Sequence, residues 1–126
     1  MSNKHKKIFI VDDDEMLTMM LEDHLSKNSQ YSIQSFGTGE ECLTQLEQNP
    51  DVVILDFNLD SVEPDAKNGL EILKQIKKGH RGVQVIMYSS QKQYGKASQT
   101  IGEGAVEYII KDKDAFSKIE RILKGL

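Results

Sequence analysis

The chain of 126 residues contains a single cysteine, Cys42, and no apolar run near the roughly 20 residues that span a bilayer. The first shortage excludes an internal disulfide, and the place of Cys42 between Glu41 and Leu43 in a helical pattern makes it a packing residue. The second excludes a membrane-spanning helix. No secretory leader is expected either, because Met1 to Lys7 is polar and basic and the apolar stretch after it, Ile8 to Val11, is too short for a signal core. A cytoplasmic location is the resulting expectation. Positive charge is not concentrated anywhere: 16 Lys and Arg stand against 20 Asp and Glu, the net charge is −4, and the lysines are scattered. No electrostatic footprint for direct nucleic acid binding follows. Repeats and low-complexity tracts are also lacking. The length suits one domain over residues 1–126, long enough to bury a core and too short for two.

What the chain does have is alternation. Five short apolar runs, Ile8 to Val11, Tyr31 to Phe36, Val52 to Leu55, Val83 to Tyr88 and Val106 to Ile110, are mostly β-branched or aromatic. The first and third are continuously apolar, as in strands buried on both faces of a parallel sheet. Helical periodicity fills the gaps. Leu17, Met20, Leu21 and Leu25 form one stripe; Leu43 and Leu46 follow the capping box Thr38-Gly39-Glu40-Glu41; Ile72, Leu73 and Ile76 follow Gly69; and Phe116, Ile119, Ile122 and Leu123 form the last. Between about Gln91 and Glu103 only Tyr94, Ala97 and Ile101 supply a stripe, which makes the fourth helix the weakest. Strand then helix, five times, predicts an α/β fold: a five-stranded parallel sheet in the doubly wound order 2-1-3-4-5, with helices on both faces. Ligands of such sheets bind beyond the carboxyl ends of the strands, where the order reverses.

Those ends carry matched chemistry. Asp12-Asp13-Asp14-Glu15 follows the first run, Asp56-Phe57-Asn58 the third, Ser89-Ser90 the fourth and Lys111-Asp112 the fifth. The strand order makes Asp12, Asp13 and Asp56 converge, and carboxylates gathered without His or Cys suit a hard divalent ion such as Mg²⁺, which ordinarily shares its site with a phosphate. Lys111 offers a compact positive charge and Ser89 a hydroxyl to phosphoryl oxygens. Asp14 and Glu15 are better suited to capping the first helix. His5, His24 and His80 sit in unrelated contexts and receive no catalytic role.

In Ile8 to Asp14, Val52 to Asp56, Val85 to Ser90 and Gly104 to Lys111, the chain resembles the response-regulator receiver family, flavodoxin-like in fold, over essentially its whole length. The resemblance implies that Asp56 accepts a phosphoryl group from a sensor histidine kinase or phosphotransfer protein. It also implies that Asp12, Asp13, Asp56 and the main-chain carbonyl of Asn58 hold Mg²⁺, that Ser89 and Tyr108 are switch residues, and that Lys111 is the site lysine. Asn58 and Gln91 would tune hydrolysis, and the family often forms homodimers through its fourth and fifth helical faces. Three departures stand out. Asp60 replaces the usual proline, and Ser61 to Asn68 lengthen the following loop by about five residues, adding Glu63 and Asp65. Asp112 stands where the family has proline after the lysine, and since a cis bond before a non-proline residue costs about 3 kcal/mol, a trans bond or a local rearrangement of the loop is expected there.

Two other functions compete. Ile54 to Asn58 also resembles the nucleophile strand of haloacid-dehalogenase aspartyl phosphatases, but the second acid that family needs is replaced by Asn58. Asp56, Asn58 and Asp60 begin like a calcium-binding EF-hand loop, yet Ser61 and Lys67 stand where glycine and glutamate are required.

Overall fold

The computed structural model describes residues 5–59, 67–90 and 94–126. Strands β1 (Lys6–Val11), β2 (Tyr31–Phe36), β3 (Val52–Asp56), β4 (Gln84–Ser89) and β5 (Glu107–Ile110) form one parallel sheet in the order β2-β1-β3-β4-β5. They alternate with helices α1 (Glu15–Leu25), α2 (Gly39–Thr44), α3 (Gly69–Gly79), α4 (Tyr94–Gly102) and α5 (Ala115–Gly125).

The continuous apolar runs are explained by two separate cores. Phe9, Val11, Val53, Leu55, Val85 and Met87 point to one face, where Cys42, Leu46, Ile72, Leu73 and Ile76 cover them. Their chain neighbours Ile8, Ile10, Ile54, Ile86 and Tyr88 point to the other face, against Leu21 and Leu25 of α1 and Ala115, Ile119 and Leu123 of α5. Successive side chains of a strand alternate faces, so a strand covered on both sides has no position left for a polar residue.

Two helix expectations are corrected. Met20 is 54% exposed, and Thr18 joins Leu21 and Leu25 on the buried face of α1 instead. In the second helix Leu46 is buried and Leu43, partly buried, packs against the same core as expected, with Cys42 buried beside them; the helix stops at Thr44 and continues as a 3-10 turn, Leu46–Gln48, ending at Asn49 with φ 59°. The tighter turn rotates the following residues relative to an α-helical stripe. In α4 the buried residue among those whose burial is described is Thr100, whose hydroxyl donates to the Ala97 carbonyl at 2.9 Å, while Ile101 is 44% exposed.

Side chains fix the helix starts nearest the carboxyl edge. Asp14 accepts from the Leu17 amide at 3.1 Å, Thr38 from the Glu41 amide at 3.2 Å and Asn68 from the Glu71 amide at 3.0 Å. Thr38 also donates its hydroxyl to the Glu41 carboxylate at 3.2 Å, so the N-cap half of the expected capping box forms and Glu41 meets the Thr38 side chain. Gly69 lets α3 begin against the end of β3: a Cβ there would lie 2.2 Å from the Asp56 carbonyl oxygen and 2.7 Å from Phe57 Cα.

A carboxylate cluster at the strand ends

Sheet register brings the acidic residues together. Val11 pairs with Leu55, so Asp12 and Asp56, each one residue further on, emerge side by side from adjacent strands. Carboxylate oxygens of Asp12, Asp13 and Asp56 all lie within 4.8 Å of one another. Asp12 and Asp56 are each 3% exposed, whereas Asp13 is half-buried.

Lys111, just past β5, reaches back across the sheet. Its Nζ donates to Asp12 Oδ2 at 3.0 Å and lies 3.3 Å from Asp56 Oδ2. Two features hold it there: the Lys111 amide donates to the Ser89 carbonyl at 2.7 Å, and the ammonium sits 4.9 Å above the centre of the Tyr88 ring. The role of Tyr88 was missed in the sequence because it reads simply as the last apolar residue of a strand. Its ring is buried among the site's acids, and burial followed by the charges of Asp12 and Asp56 raises its phenol, which stays protonated.

Backbone amides serve the same carboxylates. The Asp14 amide donates to Asp12 Oδ1 at 2.9 Å and the Asn58 amide to Asp56 Oδ1 at 3.1 Å. Asp14 itself is turned to its capping bond, as expected. Even so, the Asp56 carboxyl is pushed up from 3.8 to about 7, first by burial and then by the Asp12 charge, with Lys111 and the Asn58 amide pulling the other way. One lysine does not compensate this much buried negative charge.

That imbalance is what a bound cation would relieve. The donor set is all oxygen, without His or Cys, and the Asn58 side-chain oxygen is buried with no hydrogen-bond partner among the described residues. These residues fit a hard divalent ion. Ser89 is fully buried at the end of β4, and Tyr108 is half-buried on β5, paired in register with Met87. Gln91 lies outside the described residues, as do Asp60, Glu63 and Asp65 of the lengthened loop. At the far end of that loop the Lys67 amide donates to Glu40 Oε2 at 2.9 Å. The peptide bond between Lys111 and Asp112 is trans, as expected.

Comparison with known protein families matches residues 8–123 to the response regulator receiver domain. The chain belongs to this family. The receiver is 30% identical over 121 residues to chemotaxis protein CheY of Bacillus subtilis (strain 168), covering 95% of the chain and 97% of that protein. It is also 30% identical over 128 residues to the probable C4-dicarboxylate response regulator DctR of the same organism, but spans only 53% of that relative's length. The crystal structure of the receiver domain of NtrX from Brucella abortus superposes with a TM-score of 0.81 at 26% identity, covering 94% of this chain and 97% of that one. The receiver is therefore a module of two-component signalling, and the haloacid-dehalogenase alternative gains no support. No helix among the described residues is long and apolar enough to cross a membrane.

Proposed function

We propose that the 126 residues act as one phosphoacceptor domain in a two-component phosphorelay, in which Asp56 takes a phosphoryl group from a sensor histidine kinase or phosphotransfer protein with Mg²⁺ as cofactor. The observation that carries this reading is the Lys111 ammonium, held between the buried carboxylates of Asp12 and Asp56 at 3.0 and 3.3 Å. An Asp56 oxygen attacks phosphorus, the bond from phosphorus to the donor nitrogen breaks, and an acyl phosphate forms. Lys111 neutralises charge on the equatorial oxygens from a position fixed before the reaction begins. Asp12, Asp13, Asp56 and the Asn58 main-chain carbonyl would hold the Mg²⁺, which when bound supplies further positive charge to the phosphoryl oxygens.

Once formed, the phosphoaspartate offers acceptor oxygens to the Ser89 hydroxyl at the end of the adjacent strand. A hydrogen bond made in one arrangement and not in the other biases a two-state equilibrium, with Tyr108 on β5 following the hydroxyl inward. Asn58 and Gln91 tune hydrolysis of the acyl phosphate. The domain turns over no external substrate and catalyses only its own phosphorylation and dephosphorylation. A cytoplasmic location and a homodimer through the faces of α4 and α5 complete the reading.

Incubation with acetyl phosphate and Mg²⁺ tests it. One phosphoryl group per chain should appear, and Asp56→Asn should abolish it. Label persisting in that variant, or sustained hydrolysis of a generic phosphate ester, would overturn the assignment.

A further inference from the structure

Between α1 and the segment joining β5 to α5 lies a cavity of about 350 Å³ that the phosphoacceptor reading does not use. Leu17 and Met20 of α1 form one wall, Phe116 of α5 forms another, and Tyr88 borders it from β4. Tyr88 is 2% exposed, and its hydroxyl makes no hydrogen bond among the described residues. Unlike the sealed hydroxyls of Thr18 and Ser35, it opens onto free space, and that space is this cavity. A tyrosine buried this deeply ordinarily gives its hydroxyl a partner. A largely apolar enclosure of this size, holding one such polar group, has the anatomy of a small-molecule site.

The charges around the cavity decide what it takes. Lys111 gives its ammonium to Asp12 and Asp56 at 3.0 and 3.3 Å, and Asp112 lies 3.7 Å from Lys118. Lys113 is exposed, so pairing it with an anion gains little against water. Around the phenol the balance is negative: burial, then the charges of Asp12, Asp56, Asp14 and Asp112, raise the Tyr88 hydroxyl. Negative potential at that oxygen repels an anion and favours a group that donates a hydrogen bond to it. A full positive charge is disfavoured as well, because it would leave water for the Leu17, Met20 and Phe116 side chains and the neighbourhood of Lys111. Two aromatic rings and two flexible aliphatic side chains suit a flat, uncharged ring instead.

We propose that this cavity binds a neutral bicyclic aromatic molecule with a single N–H donor, of which indole is the simplest, its rings between Phe116 and the Leu17 and Met20 side chains and its N–H donating to the Tyr88 hydroxyl oxygen. The 126 residues contain no Trp, so neither a second copy nor another segment of them supplies such a ring. Lys111 borders the same cavity, its ammonium 4.9 Å above the centre of the Tyr88 ring. An occupant packed against both favours that placement of the lysine, and so slows labelling of Asp56 by acetyl phosphate, which draws the ammonium toward phosphoryl oxygens. This consequence rests on the phosphoacceptor reading; the binding does not.

Amide chemical shifts of the ¹⁵N-labelled full chain, titrated with indole, test the proposal. Saturable shifts should concentrate at residues 17–20, 87–89 and 111–116 and change little with added salt, since no ion pair forms. 1-Methylindole, which lacks the N–H, should bind the wild type about threefold to tenfold more weakly. In Tyr88→Phe the two should bind alike, a pattern that general loosening of the fold does not produce. Met20→Ala, at a half-exposed position, should weaken both ligands and leave the circular dichroism unchanged. Absence of saturable shifts, equal affinity of the wild type for the two indoles, or a preference for indole that survives in Tyr88→Phe would overturn the proposal. Movement of the same resonances with protein concentration alone would assign the cavity to a second copy and overturn it too. Saturating indole that leaves the rate of acetyl phosphate labelling unchanged would overturn only the coupling through Lys111, and a wild type that takes no label would overturn the phosphoacceptor reading while the binding stands.

Discussion

Asp56→Asn should stabilise the metal-free protein in alkaline solution, even though it removes the group the site is built around. In the folded chain the Asp56 carboxyl is pushed up from 3.8 to about 7 by burial and by Asp12. Between those two values the folded state holds a proton that the unfolded state has released, so stability must fall as pH rises through the window. Converted directly, the displacement amounts to about 4 kcal/mol lost by pH 8, an upper bound because water entry and relaxation reduce buried-charge penalties. The asparagine oxygen can still accept from the Asn58 amide, and Lys111 keeps its 3.0 Å bond to Asp12. A net gain of about 1–3 kcal/mol is expected at pH 8 in a chelator, or roughly 3–5 °C in Tm per kcal/mol for a domain of this size. Urea unfolding of both proteins between pH 5 and 8.5 measures it. Wild type should lose stability across the range while the variant changes much less, and added Mg²⁺ should rescue wild type preferentially. A variant less stable than wild type at pH 8 without metal, or parallel pH profiles for the two, would refute the reasoning.

Gly69→Ala should cost more than about 2 kcal/mol in urea unfolding and weaken Mg²⁺ binding as well, because its Cβ would collide with backbone atoms of Asp56 and Phe57 rather than with a side chain that can swing aside. Asp14→Ala should lower stability by about 1 kcal/mol through loss of the α1 cap and leave the extent of phosphorylation by acetyl phosphate unchanged. Cys42 is fully buried and burial pushes its thiol up to about 12, so a thiol reagent at pH 8 should label it only at the rate at which the protein unfolds; rapid labelling of the native chain would contradict the packing described.

Most of the fold was legible because a parallel sheet covered on both faces writes itself as uninterrupted apolar runs, and β1 and β3 are such runs. The site was legible for a related reason: strand ends at a reversal of strand order are forced together, so Asp12, Asp56 and Lys111 could be grouped before any distance was known. Helix faces were harder. Methionine is as apolar as its neighbours, and Met20 could be told from a core residue only by knowing which side of α1 meets the sheet. The turn after Thr44 likewise depends on a local tightening that periodicity does not report. Contacts joining distant segments left no pattern at all. Neither the ring of Tyr88 beneath Lys111 nor the carboxylate of Glu40 holding the Lys67 amide follows from any spacing along the chain.

The pairing of Val11 with Leu55 has an evolutionary corollary. Adding or deleting one residue within β1 would turn Asp12 toward the opposite side of the sheet and dismantle both cores in the same step. Insertions and deletions are thus expected outside the strands, in connections such as the part of the β3–α3 link that follows Asn58, where a change of length leaves the register of the acidic residues intact.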